Sequence, residues 1–185
     1  MKLTHKLSDH PFYVAWNKGE ITRDQLSNYA KSYENFIERI PEYWQKVITG
    51  FDVKDTMSGK VVNEEIEHIE LWKRWSDKLE DPVKTSLMSD IIYEFDNMSV
   101  SELLGALHAF EIQQPEVSRT KKEGLLKYYG FNENDTKYFD EHLKELKHIE
   151  YGELLYKSFA DKHAFEKGYN KGSEMIYKSL DRFMN

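Results

Sequence analysis

Three separated stretches of this chain place histidines and carboxylates one helical turn apart. Glu64, Glu65 and His68 lie in NEEIEHIELW, Glu111 in LHAFEIQQPEV, and His142, Glu145 and His148 in YFDEHLKELKHIEYGELL. Residues three or four apart share one face of a helix. Two of the stretches read Glu-x-x-His, Glu65 with His68 and Glu145 with His148. Helix bundles hold two metal ions with paired motifs of this kind plus carboxylates from other helices. The spacing therefore predicts a helical bundle whose core gathers these groups, and points to metal-dependent oxidation ahead of a purely structural bundle.

The remaining sequence agrees with helices. Prolines and glycines are few and fall at plausible helix ends. A first helix is expected to open at Pro11, with Gly19 past its end. Thr22-x-x-Gln25 is a capping box ahead of a segment reaching about Ile48, which Pro41 should kink or restart. Further helices are expected over roughly 55–79, in DPVKTSLMSDIIYEF with Pro82 near its first turn, and after the Ser99-x-x-Glu102 capping box. That last helix carries Glu111 and is interrupted by Pro115. Another ends at Gly130, and 135–160 and 163–184 complete the chain. No strand alternation, repeat or linker is evident. The expectation is an all-α fold of about seven helices in a single domain over 1–185.

Composition narrows the chemistry. The 185 residues contain no cysteine, which excludes disulfides, thiolate metal sites and a cysteine nucleophile. Any metal must be held by nitrogen and oxygen, a donor mix that suits iron or manganese. The net charge of −7 argues against nucleic acid as a partner. No apolar run approaches ~18 residues, and MKLTHKLSDHPF lacks an apolar signal core, so no membrane is expected and the location expected is cytoplasmic. Neither a glycine-rich phosphate loop nor a Ser-His-Asp arrangement stands out.

Each candidate has a bland reading. The stretch around His142 to His148 is rich in Glu and Lys and reads equally as a solvated face, although Leu143, Leu146 and Ile149 mark an apolar stripe beside it. Glu67 and Glu70 crowd the turn of Glu64 and Glu65. Glu111 is more telling, because a carboxylate after LLGALHAF is costly without a cation. His108 reads as a partner to a ligand or a satisfied core histidine. Tyr13, Tyr29, Tyr33, Tyr43, Tyr138 and Tyr151 fit ordinary packing at the core boundary. Lys121, in RTKKEG, reads on its own as a surface lysine.

The run HPFYVAWNKGEITRDQLSNYAKSYENFIERIPEYW resembles the opening of the heme-oxygenase-like superfamily that includes TenA and PqqC. The segment FYVAWNKGEITRDQLSNYAKSY resembles its CADD branch, named for the chlamydial protein associating with death domains. The likeness continues through HIELW, FEIQQPEVSRTKKEGLLKYYGF and YFDEH…GELL, covering most of the chain in order. It implies a heme-oxygenase-like bundle with a non-heme di-metal centre, Fe/Fe or Fe/Mn, using O2 and an external reductant. Carried onto matching positions, the ligand set is Glu64, His68, Glu111, His142, Glu145 and His148. The branch makes para-aminobenzoate for folate. The resemblance implies that Tyr13 is the internal source of the aromatic ring, Lys121 the amino donor and Tyr138 a further site tyrosine.

This sequence departs from the family pattern. The first Glu-to-His segment is shorter, so Glu64 and Glu65 both remain candidates, with Glu64 preferred for its spacing of four from His68. The family's His-x-x-x-Asp-x-x-His becomes His142-x-x-Glu145-x-x-His148, and Phe110 stands where the family has a tyrosine. Lack of cysteine argues against a TenA-type thiaminase, and six convergent ligands would be unnecessary in a metal-free PqqC-like enzyme. Within enzymes the alternative is an oxidase acting on an external amino acid or fatty acid. Outside enzymes it is an interaction protein, which would need no stoichiometric iron. A homodimer is a candidate assembly.

Overall fold

In the computed structural model, residues 2–80, 82, 86–144 and 146–184 are described. They form helices α1 (Pro11–Lys18), α2 (Arg23–Ile37), α3 (Ile40–Gly50), α4 (Thr56–Ser76), α5 (Ser89–Asp96), α6 (Val100–Glu111), α7 (Gln114–Tyr128), α8 (Lys137–Lys144), α9 (Lys147–Ser158) and α10 (Lys162–Ser179). Short 3-10 turns precede α1 and follow α10. No strand occurs among the described residues.

Local chemistry sets most of these boundaries. The His10 side chain accepts from the Phe12 amide at 3.1 Å, and Pro11 occupies the first turn, where no amide is needed. Gly19, at φ 72°, closes α1 in the left-handed conformation. Both capping boxes form, Thr22 with Gln25 and Ser99 with Glu102. Asp55 caps α4 by accepting from the Met57 and Ser58 amides at 2.9 and 2.7 Å.

The helices outnumber the expectation because the segments expected from Thr22 to about Ile48 and over 135–160 each divide in two. Pro41 and Pro115 each sit in the first turn of a new helix, α3 and α7, where the missing amide costs nothing. The segment expected over 135–160 splits into α8 and α9. The fourth helix begins only at Ser89; Asp81, Val83, Lys84 and Thr85 of its expected start lie outside the described residues.

α6 is the central helix. Every residue from Leu103 to Glu111 is buried, as expected of a helix apolar all round. Its most extensive packing is against α10, and α3 and α9 also lie against it. The α6–α10 approach depends on glycine. A Cβ at Gly105 would strike the Phe165 carbonyl, and one at Gly168 would strike the Glu102 carbonyl. The core is heavily aromatic, with Trp16, Trp44, Trp72 and Trp75 all fully buried. No described helix is long and apolar enough to cross a membrane.

Two glycine substitutions should move stability in opposite directions. Gly168→Ala should cost about 1–3 kcal/mol, because the backbone it meets cannot yield. Gly59→Ala, on the exposed face of α4 with nothing within 4 Å of the new Cβ, should add about 0.4–1 kcal/mol. Denaturant melts of the two variants check both signs.

Candidate metal centre

Four helices converge on one buried polar cluster. α4 supplies Glu65 and His68 from adjacent turns, α6 ends on Glu111, α8 carries His142, and the first turn of α9 carries His148. All five are buried. One ligand atom each of Glu65, Glu111 and His148 lies within 4.8 Å of the others. Oε1 of Glu65 is 2.9 Å from Nδ1 of His148, and Oε2 is 3.3 Å from Nδ1 of His68. The His68 ring stands 4.4 Å from that of His142 and 6.1 Å from that of His148, between centroids.

The electrostatics suit a cation. Burial alone would raise the Glu65 carboxyl, but hydrogen bonds from His148 and His68 outweigh it and hold the group below the usual carboxylate range. Burial, with the His68 imidazole adding, pushes His142 down to about 3, so it is neutral at working pH. Its Nδ1 lies 2.8 Å from the Tyr138 carbonyl. A carbonyl only accepts, so Nδ1 carries the proton and Nε2 keeps its lone pair, the arrangement that orients ligating histidines. Two carboxylates and three imidazoles without sulfur fit divalent iron or manganese, and a cation among them would offset the cost of burying the carboxylates.

Of the two glutamates left open by spacing, Glu65 joins the group. Glu64 is about one-third exposed and meets the group at its edge, with Oε2 3.2 Å from Nε2 of His148 and Oε1 3.7 Å from Lys147 Nζ. Glu65 is buried because the inward face of α4 runs through Val61, Glu65, His68 and Trp72, all buried. His142 and His148 do not share one helix. On a continuous helix a spacing of six would splay them by about 120°; ending α8 at Lys144 and restarting at Lys147 lets both reach the cluster. Glu145 lies outside the described residues. His108, on α6, belongs elsewhere: its Nδ1 faces Gly152, and it lines a separate cavity of about 280 Å³ with Glu153 and Phe165.

Beside the cluster stands a lysine in an aromatic cage. Lys121 is not at the surface; it is only 1% exposed. Its Nζ lies 5.6, 5.4, 5.2, 5.5 and 5.9 Å from the ring centres of Tyr13, Tyr29, Tyr33, Trp72 and Phe139. Burial lowers its amine to about 7. The Tyr13 and Tyr29 hydroxyls are hydrogen-bonded at 2.9 Å, and burial raises both phenols. Burial, then Tyr13 and the Glu111 carboxylate, hold Tyr33 well above the usual range. Tyr138 joins cage to cluster, 5.0 Å from Trp72 and 4.1 Å from His142. The sequence does carry a signal for Lys121: it falls four residues after Val117 and four before Leu125, both buried on α7.

A cavity of about 530 Å³ opens over His68, lined by Glu64, Glu67, Leu71, Glu141, Lys144 and Lys147 as well.

The lysine predicts an unusual pH dependence. Its folded-state pKa lies below the ordinary lysine value near 10.4, so the unfolded chain binds the extra proton between about 7 and that value. The burial cost is full below about 7 and fades as pH rises past it. Lys121→Met should therefore raise the melting temperature by several degrees at pH 7, and the gain should shrink toward pH 10. Thermal melts across that range check it.

Comparison with known proteins places this geometry. The model of the TENA/THI-4/PQQC family matches residues 2–158. The chain is 30% identical to a 4-aminobenzoate synthase of Chlamydia trachomatis serovar D, over 96% of this chain and 86% of that protein. It is 28% identical to one of Nitrosomonas europaea, over 84% of this chain and 74% of that protein. Among solved structures, a TenA homolog from Pseudomonas syringae pv. tomato superposes with a TM-score of 0.72 at 13% identity, covering 96% of this chain and 86% of that one, and so shares the fold. With the family match spanning most of its length, the chain is a member of the TENA/THI-4/PQQC family.

Proposed function

We propose that this protein is an O2-using oxidoreductase that makes 4-aminobenzoate, drawing the ring from its own Tyr13 and the amino group from Lys121. The observation that carries the reading is the Lys121 amine, buried and 5.6 Å from the Tyr13 ring centre, beside a buried Glu/Glu/His group able to hold metal. The names of the relatives support the product.

Glu65, Glu111, His148, His68 and His142 would hold the metals, with Glu64 at the margin and Glu145 as a further candidate. Two such ions, iron or iron with manganese, would supply one-electron chemistry with O2 and an external reductant. The protein's own contributions are positional. The Tyr29 hydroxyl fixes the Tyr13 phenol. Burial keeps a fraction of the Lys121 amine unprotonated at neutral pH, with its lone pair available. The surrounding rings exclude water and hold amine and phenol in one enclosure, which supplies effective concentration. The cavity over His68 favours a second reading, oxidation of an external amino acid or fatty acid.

Protein loaded anaerobically with Fe(II) should bind about two metals per chain. Glu111→Ala and His148→Ala should each cut that sharply, and Glu65→Ala should lose more metal than Glu64→Ala; unchanged stoichiometry throughout would remove the centre.

Given O2 and reductant without added substrate, iron-loaded protein should release substoichiometric 4-aminobenzoate, with a mass change at Tyr13 on peptide mapping. Tyr13→Phe and Lys121→Met should each abolish product while retaining metal. Product from Tyr13→Phe, or a requirement for an added substrate, would favour the second reading.

A further inference from the structure

A row of oxidisable rings leads from the centre to the surface. Tyr138 stands 4.1 Å from His142 between ring centroids, and Trp72 lies 5.0 Å beyond it. Trp75 follows at 4.8 Å, Trp16 at 6.4 Å, Tyr129 at 5.5 Å and Tyr128 at 6.4 Å. Every ring before Tyr128 is buried, and Tyr128 is 41% exposed. Its ring borders a recess of about 180 Å³ that it shares with Asn17, Glu123, Gly124 and Lys127. A Cβ at Gly124 would collide with the Trp16 indole, so that indole lies directly against the backbone of the recess wall.

We propose that this row is an electron-transfer path, and that the recess beside Tyr128, where Lys127 Nζ lies 4.9 Å from the Tyr128 ring centre, is where a small anionic one-electron reductant such as an enediol acid delivers electrons. The proposal rests on the reading of the buried cluster as an O2-using centre, which supplies the oxidant. Indoles and phenols are the side chains that give up one electron most readily, and rings in near contact exchange electrons fast.

The chemistry balances at each end. The oxidant at the cluster gains one electron, and Trp72, Trp75 and Trp16 pass it on without a heavy-atom bond forming or breaking; the buried phenols of Tyr138 and Tyr129 keep their protons and bridge the carriers as contacts. The Trp72 and Trp16 N–H groups donate to the carbonyls of Ala30 and Lys121 at 3.0 and 3.2 Å. A carbonyl is too weak a base to take those protons, so an oxidised indole keeps its proton and remains a reversible carrier. At Tyr128 the phenol proton leaves to water with the electron. The reductant then returns one electron and water returns the proton, leaving the reductant oxidised by one electron.

An aromatic core makes many ring contacts, but few reach solvent at a recess. Tyr93, 66% exposed, is the more accessible phenol yet stands in no ring contact among the described residues. That contrast makes the proposal testable in metal-free protein, independently of whether the cluster binds metal. Laser photoionisation of the tryptophans should produce an indolyl radical signal. This signal should convert to a tyrosyl signal at a rate independent of protein concentration. A water-soluble nitroso spin trap followed by peptide mapping should place the adduct on Tyr128 in preference to Tyr93. Tyr128→Phe should remove that adduct and lower the tyrosyl yield several-fold. Lys127→Glu should slow quenching of the tyrosyl signal by an anionic enediol acid several-fold. Equal trapping at Tyr93 and Tyr128, or an unchanged yield in Tyr128→Phe, overturns the path. Unchanged quenching in Lys127→Glu overturns the recess as the point of entry.

Discussion

Charge buried among aromatic rings is the constraint around which this protein is arranged. Glu65 and Glu111 place carboxylates where water cannot solvate them, and Lys121 places an amine in equal isolation among aromatic rings. The two problems are solved differently. The Glu65 carboxylate is met by imidazoles from α4 and α9, which lie against its oxygens at 3.3 and 2.9 Å. The amine is met mainly by ring faces, which stabilise a cation only weakly, so its pKa falls to about 7 and part of it is neutral at neutral pH. The placement of helices follows: four of them must end or turn where they can deliver a polar group to one point.

This division separates two chemistries within one core. Carboxylate oxygens and imidazole nitrogens form a region suited to cations. The cage of Tyr13, Tyr29, Tyr33, Trp72 and Phe139 around Lys121 forms a region in which the charged form of an amine is disfavoured. Tyr138 touches both, by its backbone carbonyl to His142 and by its ring to Trp72. A close-packed interior holds such neighbours at fixed distances, which loose surface loops would not.

Much of the architecture was legible from local chemistry. Capping boxes at Thr22 and Ser99, Pro11 before Gly19, and the apolar run ahead of Glu111 each encode a boundary or a face within a few residues of chain. What escaped depends on packing between distant segments. The spacing Glu64 to His68 is a good helical pair, yet which glutamate points inward is decided by where α6 and α9 lie. Lys121 looks solvated among Arg119, Thr120 and Lys122, and its burial follows from the docking of α7 against α1 and α8. Pro41 and Pro115 announced an interruption, but whether a helix bends or restarts there depends on tertiary contacts. The division between α8 and α9 carries no proline or glycine and left no mark in the sequence.

That division has an evolutionary consequence. On one rigid helix, deleting a residue between the two histidines would rotate the second by about 100° relative to the first and carry it away from the cluster in a single step. Because α8 ends at Lys144 and α9 starts anew at Lys147, the two histidines are held by separate bodies, each docked through its own contacts. A joint between two helices can take up a change in length without turning either histidine away from the cluster, so the spacing between His142 and His148 is less constrained than it would be on one helix. Motif spacing in this segment is thus a poor marker of descent, and the packing of α9 against α6 is the better one.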